Sequence, residues 1–269
     1  MKRFDFAELT VQRILMAVLR RVNDIPNEWT WTFSAPKTRL MKDRLDAMTN
    51  AHKGERCFII GNGPSLAGMD LSNLASEITF GLNRIYLLFE RLTFKPTYYV
   101  CVNDLVLTQF ANEISRLTMP KFLSWNQRRL FDVTDTTISF LRLSLSLTDR
   151  FNSNFRTPFY SGGTVTYVAL QIALIMGFSE AILIGVDHSF VDKGVPNKVE
   201  TRKSEIDRNH FRPDYFPRGV KWQLPDLKRS EQAYALARKA FEEKGGRIVD
   251  ATINGKCPVF ERADFYSLF

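Results

Sequence analysis

Residues 57–66 read CFIIGNGPSL, an apolar run that stops at two glycines around an asparagine. Apolar residues in succession, with no polar alternation, describe a strand buried on both faces, as in a parallel sheet covered by helices. The glycines at 61 and 63 predict a tight loop where a ligand or another backbone comes very close, and they can supply positive φ there. No Gly-Lys-Ser/Thr follows, so this is not a P-loop. Leu66 stands where a GxGxxG fingerprint needs its third glycine.

Outward from this stretch, strands and helices alternate. ITFGLNRI, TYYVCVND, PKFLSW and TISFLRLS read as further strands, with VLTQFANEISRL helical among them. GGTVTYVALQIALIMGF is a long apolar helix, and EAILIGVDHSF is the strongest strand after the first. SEQAYALARKAFEEKGG is an amphipathic helix, and RIVDAT reads as the last strand. This order predicts an α/β fold with a doubly wound, mostly parallel, Rossmann-like sheet over residues 55–269.

Two segments break the rhythm. Residues 1–54 form an N-terminal extension, with a helical stripe over 4–22 and a polar, partly helical connector after it. The stripe is expected to pack on the domain or on a second subunit. Basic flanks and the nearby Trp29 and Trp31 raise the alternative of peripheral contact with a membrane. Residues 189–228 are polar and punctuated by proline, yet carry Phe211, Tyr215, Phe216 and Trp222. A loop of that length in a compact domain reads as a lid.

The 269 residues are 45% hydrophobic and 25% charged, an ordinary globular composition. Asp5, Glu8 and Arg13 interrupt any secretory apolar run, so the chain is expected in the cytoplasm, at most peripheral at the inner membrane. Cys57, Cys101 and Cys257 lack CxxC spacing and read as small buried hydrophobes. Three histidines in the whole chain argue against a multi-histidine metal site, and no metal ligand is assigned. The net charge of +8 suits phosphorylated ligands, while zinc-finger spacing and long basic runs are missing, so nucleic acid is not expected as a partner.

In an open α/β sheet, ligands bind beyond the carboxyl ends of the strands. The residues there are Gly61, Asn62, Gly63 and Ser65 after the first strand, Asn83 after the second, Asn103 and Asp104 after the third, and Asp187 and His188 later. Asparagines at loop tips suit a base or sugar hydroxyls. Ser161, Gly162, Gly163 and Thr164 open the long apolar helix, whose N–H groups and dipole favour an anion, and Arg156 upstream adds a full charge. His210 lies in the lid near Tyr215. Imidazole is the side chain suited to proton transfer near neutral pH, and sequence leaves His188 and His210 equal candidates for a base.

FIIGNGPSL, Asn83, and SGGTVTYVALQIALIMGFSEAILIGVD followed by an aromatic, histidine-bearing lid resemble the bacterial sialyltransferases of glycosyltransferase family 42. They are also similar to the broader family that includes archaeal 6-hydroxymethylpterin pyrophosphokinase and flagellin-modifying motility accessory proteins. The likeness spans roughly residues 56–252. It implies a metal-free, inverting transfer from a CMP-activated nonulosonate to a glycan acceptor in surface polysaccharide or glycoconjugate synthesis. On that resemblance Gly61, Asn62, Gly63 and Asn83 hold the nucleotide and its phosphate, Asn103 lies near the donor, and Ser161–Gly163 meet the base and ribose. Tyr215 would face the leaving phosphate, and His210 would be the base. The family's Gly-x-Asp-Phe-Tyr is here Gly185-Val186-Asp187-His188-Ser189-Phe190, so its donor-contacting tyrosine is replaced.

Two other readings remain open at this point. A pyrophosphokinase would need ATP and magnesium, with Asp104 and Asp187 as the carboxylates on offer. A non-catalytic scaffold would bind a nucleotide sugar without turning it over. A homo-oligomer is compatible with each.

Overall fold

The computed structural model describes residues 25–33, 36–144, 146 and 148–269. The helix expected over 4–22 lies outside them. Eight strands form one sheet in the order β10-β9-β6-β1-β2-β3-β4-β5, and every neighbouring pair is parallel. Their bounds are β1 Arg56–Ile60, β2 Thr79–Leu82, β3 Tyr98–Cys101, β4 Lys121–Ser124, β5 Ile138–Leu141, β6 Glu180–Ile184, β9 Arg247–Asp250 and β10 Glu261–Arg262. The chain is therefore an α/β protein with a mostly parallel, Rossmann-like sheet.

The central pair shows why these residues make this sheet. β1 and β6 run in register from Arg56 opposite Glu180 to Ile60 opposite Ile184. Side chains alternate across a strand, so Cys57 and Ile59 enter the core on one face while Phe58 and Ile60 enter the core on the other. All four are fully buried, which is why the run shows no polar alternation.

Helices pack against both faces of the sheet. Residues 25–33 are helical; after them α1 is Pro36–Ala47, the short α2 and α3 are Asp104–Gln109 and Ala111–Ser115, α4 is Val165–Ile175 and α5 is Leu227–Glu242. In α4 every residue from Thr166 to Ile175 is buried, so the helix has no solvent face and sits between the sheet and α5. α5 buries only a stripe, Ala233, Tyr234, Ala237 and Phe241. The opposite face is closed by short 3₁₀ turns, α2, α3 and the C-terminal tail, where Phe265 and Phe269 flank the Phe58 ring.

Three local expectations are corrected. The helix expected as one piece after β3 breaks into α2 and α3 at Phe110, whose φ of −130° and ψ of 26° are not helical. RIVDAT is not the last strand, because β10 adds beside it, with Arg262 reaching the Asp250 carboxylate at 2.5 Å. The 189–228 loop contains an antiparallel pair, β7 Val199–Thr201 with β8 Lys221–Gln223. Among the described residues no helix is long and apolar enough to cross a membrane.

The strands after β1 step outward on one side, through β2, β3, β4 and β5. The chain then returns to place β6 on the other flank of β1. This reversal opens a crevice at the carboxyl ends of β1 and β6, the position where open α/β sheets bind ligands.

Candidate functional site

The loops leaving β1 and β6 interlock at this crevice. Gly61 donates its N–H to Ile184 O at 2.8 Å, and Gly63 donates to Gly185 O at 2.8 Å. A Cβ on Gly61 would run into the Gly185 carbonyl, and one on Gly63 into the Asp187 carboxylate. Neither glycine has positive φ; Gly63 has φ −69°. Of the two expectations, positive φ is corrected and the close approach of another backbone holds: these residues are small so that two loops can touch. The left-handed residues of the crevice are Asn83 (φ 47°), Gly185 (φ 65°) and His188 (φ 54°).

Asp187 completes the interlock. Its carboxylate accepts from Ser65 N–H at 3.0 Å and from Ser65 Oγ–H at 2.8 Å. Burial pushes this carboxyl above its usual range, and the two Ser65 bonds act against that rise.

Asn62 and Asn83 sit at the ends of the adjacent strands β1 and β2. Their carboxamide oxygens are buried and have no hydrogen-bond partner within the protein. Beside Asn83, the Arg84 backbone N–H donates to the Tyr215 hydroxyl at 3.2 Å. The Tyr215 side chain is 1% exposed, and burial raises its phenol well above the ordinary value.

The long loop reaches the crevice through its own polar core. Arg202, Asp207 and Asn209 are all buried. Arg202 Nη1 donates to Asp192 at 3.0 Å, Asn209 Nδ2 donates to the same carboxylate at 2.6 Å, and Asn209 N–H donates to Asp207 at 2.9 Å. His210 Nδ1 lies 2.8 Å from the other Asp207 oxygen. The ring stacks on Tyr215 with centroids 4.0 Å apart and planes 5° from parallel. The next residue, Phe211, donates its N–H to Asn62 O at 3.1 Å. His210 is thereby fixed against the loop that follows β1. Burial alone would raise the Asp207 carboxyl; the His210 hydrogen bond, the Asn209 amide and Arg202 outweigh it and hold the group below the usual range.

The remaining expected residues lie elsewhere or have other partners. Asn103 caps α2, its side chain accepting from Leu105 N–H and Val106 N–H at 2.9 and 3.3 Å, and Asp104 is the exposed first residue of that helix. Arg156 is exposed and binds Asp46 and Asp43 of α1. Thr164 caps α4, and Gly162 and Gly163 take the left-handed turn before it, at φ 54° and 77°. Gly162 N–H donates to Asp149 at 3.1 Å, and Asp149 receives two bonds from Arg229, at 2.7 and 3.0 Å. A carboxylate of the chain itself therefore sits at the start of α4, with Arg229 also donating to Ser161 Oγ at 3.3 Å. His188 turns toward α5, its Nε2 lying 2.9 Å from Glu231.

Asp207, Arg84, Asp149 and Arg229 were not singled out in the sequence. The Asp-x-x-His spacing of Asp207 and His210 is a local signal that was there to be read, as is the arginine adjoining Asn83. Asp149 and Arg229 are 80 residues apart, and no local pattern joins them. A hollow of about 250 Å³ lined by Leu66, Asp70, Leu88 and Arg91 lies on the flank of the β1–β2 connection, and none of the strand-end polar residues lines it.

Residues 35–193 match the family described as MptE-like, 6-hydroxymethylpterin diphosphokinase MptE-like. Among solved structures, the MAf glycosyltransferase from Magnetospirillum magneticum AMB-1 is similar, with a TM-score of 0.53 and 16% identity. The similarity covers 87% of this chain and 39% of that one, so this chain spans about two-fifths of that protein's length. At this identity the likeness is one of fold. No curated protein matches the chain.

Proposed function

The chain belongs to the MptE-like family, and from that premise we propose that it is a glycosyltransferase using a nucleotide-activated sugar. In the finer form of the reading, the donor is a CMP-activated nonulosonate, the anomeric centre inverts, and a glycan hydroxyl is the acceptor. The observation that carries the reading is the His210–Asp207 pair, 2.8 Å apart, fixed on the loop after β1 by the Phe211–Asn62 bond.

The chemistry follows from what these groups can do. Departure of the nucleotide phosphate leaves an oxocarbenium-like sugar, and the acceptor hydroxyl loses its proton as the new bond forms. An imidazole held on a carboxylate through Nδ1 presents Nε2 as the proton acceptor. Asn62 and Asn83 offer carboxamides to the nucleotide, and Ser65 and Asp187 hold the two loops together around it. The 189–228 loop excludes water that would hydrolyse the donor. No metal is called for in this scheme.

The family description favours a second reading, a magnesium-dependent pyrophosphokinase. Against it, the Asp187 carboxylate is turned onto Ser65, and Asp104 is an exposed residue at the start of α2 after β3. The test is release of CMP from a CMP-nonulosonate, with and without a glycan acceptor, by the wild type and by His210→Ala. Turnover by the wild type in EDTA, lost in the variant, is expected. Transfer of pyrophosphate from ATP with magnesium, and no turnover of a CMP-sugar, would overturn the reading. Tight binding of the donor with no turnover at all would leave a scaffold.

A further inference from the structure

We infer that Arg84 is an anion receptor built into the crevice, and that the group it takes is a phosphate of the nucleotide ligand. The inference rests on the preceding reading for the identity of the nucleotide. The anion site itself follows from the state of the side chain.

Arg84 is 7% exposed, and a guanidinium stays charged in a protein. Its Nε donates to the Tyr86 hydroxyl at 3.1 Å. Its Cζ lies 3.8 Å from the Phe110 ring centroid, with the Tyr215 and Tyr86 rings at 5.6 and 5.8 Å. Nη1 is buried with no hydrogen-bond partner. Among the described residues no carboxylate forms an ion pair with Arg84.

The other buried arginines are treated differently. Arg202 pairs with Asp192 and Asp207. Arg128 donates to the Asn27 side chain, the Trp125 carbonyl and the Thr30 hydroxyl. Arg84 has one neutral acceptor and an aromatic surround. Cation–π contact returns less than an uncompensated buried charge costs. That imbalance is a reason to look for a missing anion.

The surroundings identify the kind of anion. Arg84 adjoins Asn83 at the end of β2, and Asn62 ends the neighbouring β1, each with an unpartnered carboxamide oxygen. A planar guanidinium matches two oxygens of a phosphate, and the amides suit the sugar or base attached to it. Tyr215 hydrogen-bonds the Arg84 backbone and stacks on His210. Through Tyr215, Arg84 is thus tied to the segment that carries His210.

The test measures binding of CMP, cytidine and inorganic pyrophosphate to the wild type, Arg84→Met and Arg84→Lys by calorimetry, with ligand-free melting temperatures alongside. The wild type should prefer CMP to cytidine by about tenfold or more, from the charge-assisted bonds. Arg84→Met should bind CMP and cytidine alike and, without ligand, should melt at or above the wild-type temperature. Should Arg84→Met fail to fold, Arg84→Lys keeps the charge and should weaken CMP while leaving cytidine unchanged. A variant that keeps the full preference for CMP overturns the inference and leaves the transferase reading standing. Pyrophosphate binding lost in Arg84→Met, with no wild-type response to CMP, keeps the anion site and removes the cytidine reading. No wild-type response to any phosphate overturns both.

Discussion

Asp207 Oδ2 lies 2.8 Å from His210 Nδ1 in a segment whose neighbouring residue is hydrogen-bonded to Asn62. The carboxylate is wholly buried and the imidazole is 14% exposed, so the pair is rigid on one side and open on the other. On the transferase reading, His210→Ala should lower kcat by about 10²–10⁴-fold, the usual worth of general-base catalysis. Asp207→Asn should lower kcat while leaving KM for the donor close to wild type, because it disturbs the orientation of the base and not the nucleotide contacts. Steady-state kinetics on the two variants check this.

Asp207 also links the loop to pH. Its folded-state value lies below the ordinary one, so ionised Asp207 stabilises the protein fully above the unfolded value of about 3.9. That contribution is lost as pH falls through the lower, folded value. Asp207→Asn should therefore be destabilised near neutral pH by about 1–3 kcal/mol, the cost of unsatisfied buried partners. The difference from wild type should shrink at pH 3. Urea melts at the two pH values measure it, and a difference independent of pH would count against an ionised Asp207.

His188 is bonded to Glu231 on α5 and has a φ of 54°. Asparagine tolerates that backbone better than other side chains. On the transferase reading, which gives the role of base to His210, His188→Asn should fold with little loss of stability and keep kcat within about tenfold of wild type. A loss as large as that of His210→Ala would transfer the role of base to His188.

Gly63→Ala is expected to fold poorly. Its new Cβ would collide with the Asp187 carboxylate and with the Gly185 carbonyl, at a cost of about 1–3 kcal/mol or more for overpacking. Thermal melts should show a lowered Tm for Gly63→Ala, whereas Gly68→Ala meets open space and should be close to neutral.

Much of the fold was legible because its signals are local. Unbroken apolar runs such as CFII and AILI are what a strand buried on both faces must look like, and the largely apolar α4 stands out for the same reason. β10 has two residues and both are exposed, so no apolar pattern marked it. The site was legible as positions, because strand ends can be found once strands are found. Its partners were not. Asp149 with Arg229, and Ser65 with Asp187, are pairs made by topology across 80 and 122 residues. Gly61 and Gly63 fit both a left-handed turn and a close approach of another backbone, and only the chain leaving β6 opposite them decides for the second.

The most direct test of the central claim is a thermal-shift comparison of CMP in EDTA with ATP and magnesium, on the wild type and on Asn62→Ala. A ligand that binds only the folded state raises the melting temperature, by about 2.7 kcal/mol of stability at a hundred times its Kd. CMP should stabilise the wild type without a metal, and Asn62→Ala should remove the shift. Stabilisation by ATP with magnesium alone, with no response to CMP, would contradict that claim.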